Sequence, residues 1–198
     1  MTQTEHEPTR TQTRLKVVAL VGSAGSLRAF GEVLAPLPAD LEASVVVIMH
    51  LHSGHESVLA SILARSCRMP VKQAEADDLL EPSHVYVAPP DAHLLVAGGK
   101  LELDLGPPIH FLRPSADVLL ASLAAAFDGG ALAVILSGSG TDGAAGVVAV
   151  KAAGGTVIAQ DESAEYTGMP QAAIASGAVD RVLPLDQIAS AVLEFVRP

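Results

Sequence analysis

Short apolar runs alternate with amphipathic stretches from residue 15 onward, and this alternation constrains the fold more than any other feature. The runs are apolar throughout, as is typical of strands that are covered on both faces of a parallel sheet. Strands are predicted over residues 15–21, 43–49, 84–89, 131–137, 155–161 and 179–185, and helices over 26–37, 56–67, 115–127, 142–154 and 186–196. The pattern predicts an α/β fold, doubly wound, with a mostly parallel sheet and helices on both faces.

One segment departs from this alternation. Residues 93–105 place Gly98 and Gly99 between two strand-like runs, which predicts an antiparallel hairpin. Residues 1–14 are polar and lack the apolar core of a signal peptide, so we expect a disordered tail there. Residues 15–198 are then expected to form a single domain, because their number suits one hydrophobic core.

Composition excludes several classes of partner. A net charge of −10 with 3% aromatic residues and no tryptophan provides neither a basic surface nor stacking platforms, so we expect no nucleic-acid binding. No apolar run reaches the roughly 18–20 residues that cross a bilayer, so we expect no membrane insertion. The single cysteine, Cys67, cannot form an internal disulfide, which favours a cytoplasmic location.

Three predicted strands end at residues that are capable of chemistry. Ser23 follows the first strand, His50 follows the second, and Asp142 follows the strand at 131–137. Loops that leave the carboxyl ends of parallel strands converge on one edge of the sheet, where ligands bind. A serine, a histidine and an aspartate at that edge supply a nucleophile, a base and a group that orients the base.

Each of these residues also has a plainer interpretation. Ser23 or Ser26 suits the N-cap of the first helix, and Asp142 suits the N-cap of the helix predicted at 142–154. The loop "GSAGS" at 22–26 has glycines that suit a phosphate, but it lacks the lysine of a P-loop.

A metal site is a further interpretation of the histidine loop. His50, His52 and His55 form an H-x-H-x-x-H pattern of possible ligands. No cysteine or carboxylate motif elsewhere completes it, so we expect neither a metal nor another cofactor.

The loop sequences resemble those of a known family. "LVGSAGS", "VVVIMHL" and "ILSGSGTDGAAG" stand in the same order as the catalytic loops of the chemotaxis receptor methylesterases, the CheB family. Further similar blocks are "VYVAPPDAHLLV", "RPSADVLLASLA" and "GGTVIAQDESAEYTGMPQAAIASGAVDRVLPL". The resemblance runs from about residue 16 to the C-terminus and implies a doubly wound α/β domain like the CheB catalytic domain.

The resemblance also implies an activity and a set of site residues. Family members hydrolyse glutamyl methyl esters on methylated chemoreceptors and deamidate certain receptor glutamines. Ser23 would be the nucleophile, His50 the base and Asp142 the residue that orients the imidazole. The backbone N–H groups near Ala24 and at the His50 loop would stabilise the oxyanion. Two further substrate-side residues are implied by the "RPS" and "GMP" blocks, namely Arg113 and Met169.

Two other functions stay open on the sequence. The first is a non-catalytic interaction module, since Gly22 and Ser26 depart from the residues usual in the family's nucleophile loop. The second is a nucleotide-binding α/β protein. No receiver domain precedes the match, so we expect activity without phosphorylation of this chain, or control by a separate regulatory protein.

Overall fold

The computed structural model describes residues 15–50 and 57–197. Strands and helices alternate over most of this length, as the apolar pattern predicts. The strands are β1 (Lys16–Gly22), β2 (Ala43–Met49), β3 (Val71–Gln73), β4 (Val85–Val87), β5 (His93–Ala97), β6 (Lys100–Asp104), β7 (Ala131–Ile135), β8 (Thr156–Gln160) and β9 (Arg181–Leu183). The helices are α1 (Ser26–Leu34), α2 (Leu59–Leu63), α3 (Ala116–Phe127), α4 (Ala144–Ala152), α5 (Gly168–Ala175) and α6 (Leu185–Val196).

Seven strands form one parallel sheet in the order β3-β4-β2-β1-β7-β8-β9. The chain winds outward from β1 in one direction through β2 and β4, and then returns to the other side of β1 with β7. The strand order therefore reverses between β1 and β7, and open α/β sheets bind ligands in the crevice at such a reversal. This confirms the doubly wound, mostly parallel fold and locates the edge where a site is expected.

Helices cover both faces of the sheet. One core cluster packs α3, α4 and α5 against the sheet, around residues such as Leu120 and Val147. The other packs α1, α2 and α6 against the opposite face, around residues such as Phe30 and Val192. Residues 17–21 of β1 are fully buried, because side chains of alternating direction enter the two clusters in turn. The central strand thus holds both layers together.

The predicted hairpin is confirmed. Strands β5 and β6 pair antiparallel in a separate two-stranded sheet, with His93 opposite Asp104. Gly98 and Gly99 form the turn at φ values of 57° and 78°, a left-handed conformation that glycine adopts without steric cost. The hairpin packs against α3, so the excursion from the parallel pattern extends the core on that face.

Two elements are absent from the sequence-based prediction. Strand β3 has only three residues, and α5 lies in a segment whose apolar periodicity is weak. The expected tail at 1–14 lies outside the described residues, as does the start of the helix predicted at 56–67. Within the described ranges, no helix has both the length and the apolar character needed to cross a membrane.

Candidate functional site

Ser23 and His50 each follow directly after one of two paired strands. Gly22 and Met49, the last residues of β1 and β2, are register partners in the parallel sheet. The His50 N–H donates to the Gly22 carbonyl at 3.3 Å, which holds the two strand exits side by side. The Ser23 N–H donates to the Ser137 carbonyl at 3.0 Å, and this ties the serine to the exit of β7. Ser23 therefore lies where the strand order reverses.

The loop after Ser23 is held by backbone geometry and close packing. Gly25 precedes α1 at a φ of 73°, and no side chain caps that helix. The predicted capping role of Ser23 or Ser26 is therefore wrong. The Ser26 hydroxyl instead donates to the Ser23 carbonyl at 2.6 Å. A Cβ on Gly22 would lie 2.4 Å from the Ser26 Cβ, so only glycine fits at position 22 beside this serine.

His50 is hydrogen-bonded to Asp142. Their Nε2 and Oδ2 atoms are 2.7 Å apart, and the side chains are 7% and 3% exposed. Because an ionised carboxylate only accepts hydrogen bonds, Nε2 carries the proton in this contact. The neutral imidazole is thereby fixed as one tautomer, with Nδ1 left as the basic nitrogen.

Asp142 lies at the N-terminus of α3. Its Oδ2 accepts the Ala116 N–H at 2.6 Å, and its Oδ1 accepts the Ser115 hydroxyl at 2.8 Å and the Asp117 N–H at 3.2 Å. The helix that follows Asp142 in sequence begins after Gly143 and has no side-chain cap from its own N-cap residue. The prediction that Asp142 caps the helix at 142–154 is therefore wrong, because the carboxylate serves a different helix.

Asp117 returns the contact from α3 to α4. Its Oδ1 accepts the Gly146 N–H at 2.7 Å, so the first turn of α4 is bound by a carboxylate from α3.

The neighbouring carboxyls of Asp142 and Asp117 have opposite pKa shifts. Burial alone would raise the pKa of Asp142, but hydrogen bonds from His50, Ala116 and Ser115 hold it below the ordinary value. Burial, with the nearby charge of Asp142, raises the pKa of Asp117.

Two residues of this network were missed by the sequence analysis. The Ser115 N–H donates to His93 Nδ1 at 3.2 Å, and His93 Nε2 lies 3.2 Å from the Pro107 carbonyl. Since Nδ1 accepts a backbone N–H while the Ser115 hydroxyl donates to Asp142, His93 is not positioned as the base for that hydroxyl. Ser115 therefore contacts Asp142 directly, whereas His93 binds the backbone of Ser115. Ser115 at the start of a predicted helix was a usable N-cap signal, but His93 within a hairpin strand carried none.

The other predicted site residues lie around this centre. The Ala24 carbonyl accepts the Ser137 hydroxyl at 2.8 Å. Met169 is 1% exposed and packs over Gly138, since its sulfur lies 2.3 Å from where a Cβ on that glycine would be. The Ser23 Cβ lies 3.1 Å from the same position, so Met169 borders the nucleophile loop from within the protein.

Arg113 supports a neighbouring loop. Its Nη1 donates to the carbonyls of Leu105 and Gly106 at 3.0 and 2.9 Å. These contacts occupy one nitrogen of the guanidinium and fix the segment that leads from the hairpin to Ser115.

A carboxylate beside the nucleophile loop argues against the phosphate interpretation. A Cβ on Gly25 would lie 3.0 Å from Glu165 Oε2, so a carboxylate lies against the loop where a phosphate would bind. Glu165 also borders a cavity of about 310 Å³ beside the loop, together with Glu32 and Asp186. No cluster of three metal-ligating side chains occurs in residues 15–50 or 57–197. The proposed ligands His52 and His55 lie outside those ranges.

Comparisons with known proteins agree on one family. A family model described as CheB methylesterase matches residues 18–192. Protein-glutamate methylesterase FrzG of Myxococcus xanthus is 40% identical over 182 residues, which cover 91% of this chain and 54% of the relative. A protein-glutamate methylesterase/protein-glutamine glutaminase of Rhizobium meliloti is 36% identical over 193 residues, or 96% of this chain and 54% of the relative.

A solved structure extends this agreement to the fold. The crystal structure of the Thermotoga maritima CheB methylesterase catalytic domain superposes with a TM-score of 0.88 at 36% identity, covering 92% of this chain and 99% of that one. The chain spans about half the length of the curated relatives it matches, 54% for FrzG. The match corresponds to the catalytic region, and this chain therefore belongs to the CheB methylesterase family.

Proposed function

We propose that this chain hydrolyses the methyl esters of glutamyl side chains on a chemoreceptor and releases methanol. The observation that carries the proposal is the buried 2.7 Å hydrogen bond between His50 and Asp142, at the sheet edge where Ser23 leaves β1. The names of the relatives, protein-glutamate methylesterase in each case, support the choice of substrate. The proposed place of action is the cytoplasm.

Acylation of Ser23 is the first step of the proposed mechanism. The Ser23 hydroxyl oxygen attacks the ester carbonyl carbon while its proton passes to His50 Nδ1. Asp142 stabilises the imidazolium that forms and keeps the ring oriented through Nε2. When the tetrahedral intermediate collapses, the methoxy oxygen takes the proton from Nδ1 and leaves as methanol.

Hydrolysis of the acyl-serine completes the cycle. Water attacks the acyl carbon and gives a proton to His50, which returns it to the Ser23 oxygen as the glutamate is released. A glutamine substrate would follow the same path with ammonia as the leaving group.

The Ala24 N–H is our proposed donor to the oxyanion. Ser26 binds the Ser23 carbonyl through both its backbone N–H and its hydroxyl, which directs that carbonyl toward the start of α1. In a trans peptide the following N–H points the opposite way, so the Ala24 N–H is directed away from the helix. The His50 N–H is already bound to Gly22 and is a poorer candidate. On the substrate side, Arg113 is proposed to hold the neighbouring loop in place, and the buried Met169 is proposed to support the nucleophile loop from within.

Replacement of the nucleophile tests the proposal. Ser23→Ala should lower methanol release from a methylated receptor fragment by about 10⁶-fold, because the covalent step is lost. Ser190→Ala is the matched control, since Ser190 is an exposed serine within α6 and does not follow a strand end at the site. Retention of more than a few per cent of the activity by a folded Ser23→Ala protein would rule out Ser23 as the nucleophile.

A serine-reactive fluorophosphonate separates the remaining functions. The proposal expects labelling of the wild-type protein at Ser23 and none of Ser23→Ala. An interaction module would leave the probe unreacted, and a nucleotide-binding protein would in addition gain thermal stability from added nucleotides. Either result would contradict the esterase.

A further inference from the structure

Ser137 connects the exit of β7 to the backbone of the nucleophile and of the residue that follows it. Its carbonyl accepts the Ser23 N–H at 3.0 Å, and its hydroxyl donates to the Ala24 carbonyl at 2.8 Å. Ser137 is 1% exposed, so both hydrogen bonds form where solvent is excluded and electrostatic attraction is stronger than in water. One buried residue thus holds two consecutive residues of the nucleophile loop.

The remaining polar groups of Ser137 hold it in turn. Its N–H donates to Gln160 Oε1 at 3.0 Å, and its hydroxyl oxygen accepts the Tyr166 N–H at 3.0 Å. Gln160 is also 1% exposed and ends β8, the strand that pairs with β7. A hydroxyl has a single proton, and here that proton is directed to Ala24. The direction of this donor is therefore fixed by its own surroundings.

The segment that Ser137 holds is a tight turn. The Ser26 N–H donates to the Ser23 carbonyl at 3.1 Å, and Gly25 has φ and ψ values of 73° and −4°. This combination is typical of a type II turn with Ala24 and Gly25 at its centre. Type I and type II turns differ in the orientation of the peptide between the two central residues, and glycine permits both. A turn with glycine at this position needs a further contact to keep one orientation.

The Ser137 hydroxyl supplies that contact. It binds the carbonyl of the peptide between Ala24 and Gly25, so the hydrogen bond selects the type II orientation. Close packing limits this peptide as well, since a Cβ on Gly25 would lie 2.8 Å from Ser137 Oγ. Loss of the hydroxyl would free the peptide to rotate and would change the backbone of Ala24, whose N–H is the proposed donor to the oxyanion.

We propose that Ser137 is a positioning residue for the esterase reaction, and that its hydroxyl keeps the turn after the nucleophile in the conformation that stabilises the transition state. This inference rests on the proposed function. Ser137 acts through Ser23 and Ala24 rather than on the ester itself. A misplacement of about 1 Å at a reacting group can lower turnover roughly 10²-fold, so the loss of this hydrogen bond should have a measurable effect.

Removal of the hydroxyl tests the inference. Ser137→Ala should lower kcat for a methylated chemoreceptor fragment by about tenfold to a hundredfold with little change in KM, because Ser23 is still present but less well placed. The rate of inactivation by a fluorophosphonate should fall by a similar factor, since this probe requires the same attack by Ser23. Both rates are measured well below the melting temperature of the variant, so that folded proteins are compared.

Ser44→Ala is the matched control. Ser44 is fully buried, and its hydroxyl also donates to a backbone carbonyl, that of Glu81, at 2.6 Å. Ser44 lies near the start of β2, about 16 Å along the strand from Met49, which precedes His50. Ser44→Ala should therefore lower the melting temperature, as Ser137→Ala does, while kcat and the inactivation rate stay unchanged.

Each other outcome overturns the inference. If Ser137→Ala keeps the wild-type kcat and inactivation rate and only melts at a lower temperature, Ser137 is a structural residue and the proposed function stands. A loss confined to KM would place its effect in substrate binding. An equal loss of kcat in Ser44→Ala would assign the effect to general destabilisation. A wild-type protein that neither releases methanol nor reacts with the probe would overturn the proposed function and the positioning role together.

Discussion

The two sides of the candidate site are built by different kinds of interaction. On the acid side, Asp142 accepts hydrogen bonds from His50 and from the first turn of α3, so a polar network fixes its position. On the nucleophile side, Ser23 is located by backbone contacts and by the absence of a Cβ at Gly22. Polar networks fail when one partner is lost, whereas close-packed loops fail when an atom is added. The two sides should therefore respond to opposite kinds of substitution.

Replacement of Asp142 should produce the largest effect on the acid side. Asp142→Asn removes the charge that stabilises the imidazolium and should lower turnover by roughly 10⁴-fold. The amide also turns an NH₂ group toward one of the N–H or O–H donors that now bind a carboxylate oxygen. Hydrogen bonds to charged groups contribute about 1.5–3 kcal/mol each, so we expect a clear fall in melting temperature. Turnover measured well below the melting temperature, beside a thermal scan, separates the two effects.

This expectation differs from the one that the sequence supports. If Asp142 capped its own helix, asparagine would serve nearly as well and stability would hardly change. A fully active Asp142→Asn protein with an unchanged melting temperature would mean that Asp142 neither assists His50 nor anchors α3. Asp142→Ala should lower both quantities as well, since it leaves buried donors of α3 without their acceptor.

The two expectations for Asp142→Asn differ because the sequence predicts local structure but not contacts between distant residues. Apolar runs predicted most strands of the parallel sheet because burial on both faces leaves a local signature in the chain. The hairpin was predicted by a different signal, the Gly98-Gly99 pair between two strand-like runs. Ser23 and His50 could be placed together because each follows a strand. The role of Asp142 in capping α3 could not be predicted, since its partners lie 25 to 27 residues away in sequence and meet it only after packing.

The nucleophile loop also contains a relation between residues that could not be predicted from one sequence. Gly22 and Ser26 looked like independent departures from the usual loop sequence. In the folded protein a Cβ on Gly22 would meet the Ser26 Cβ at 2.4 Å, so the residues at these two positions depend on each other. A dependence of this kind is steric and has no periodicity or composition that would reveal it in one sequence.

Addition of one carbon to the nucleophile loop should produce the second largest effect. Gly22→Ala forces a Cβ against Ser26 and should lower the free energy of unfolding by about 1–3 kcal/mol, with loss of activity as Ser23 moves. Ser26→Gly removes the opposing Cβ, so the double variant Gly22→Ala/Ser26→Gly should recover part of both losses. Urea unfolding of the four proteins gives the interaction energy. Strictly additive losses would show that the two positions are independent and that the loop is less tightly packed than we describe.

Replacement of Asp117 should produce the smallest change in stability. This substitution separates the contribution of charge from that of hydrogen bonding on the acid side. Asp117→Asn keeps an oxygen that can accept the Gly146 N–H, so stability at neutral pH should change by no more than about 0.5 kcal/mol or rise slightly. The direction of this stability change follows from the raised pKa of Asp117, which arises from burial and the charge of Asp142. A carboxyl whose pKa is raised by folding binds its proton more tightly in the folded state, so its ionised form destabilises the protein above that pKa. As pH rises from about 4 to 7, wild type should lose stability relative to Asp117→Asn, by urea unfolding at each pH. A difference that stays constant over this range would mean that Asp117 acts through its hydrogen bond alone.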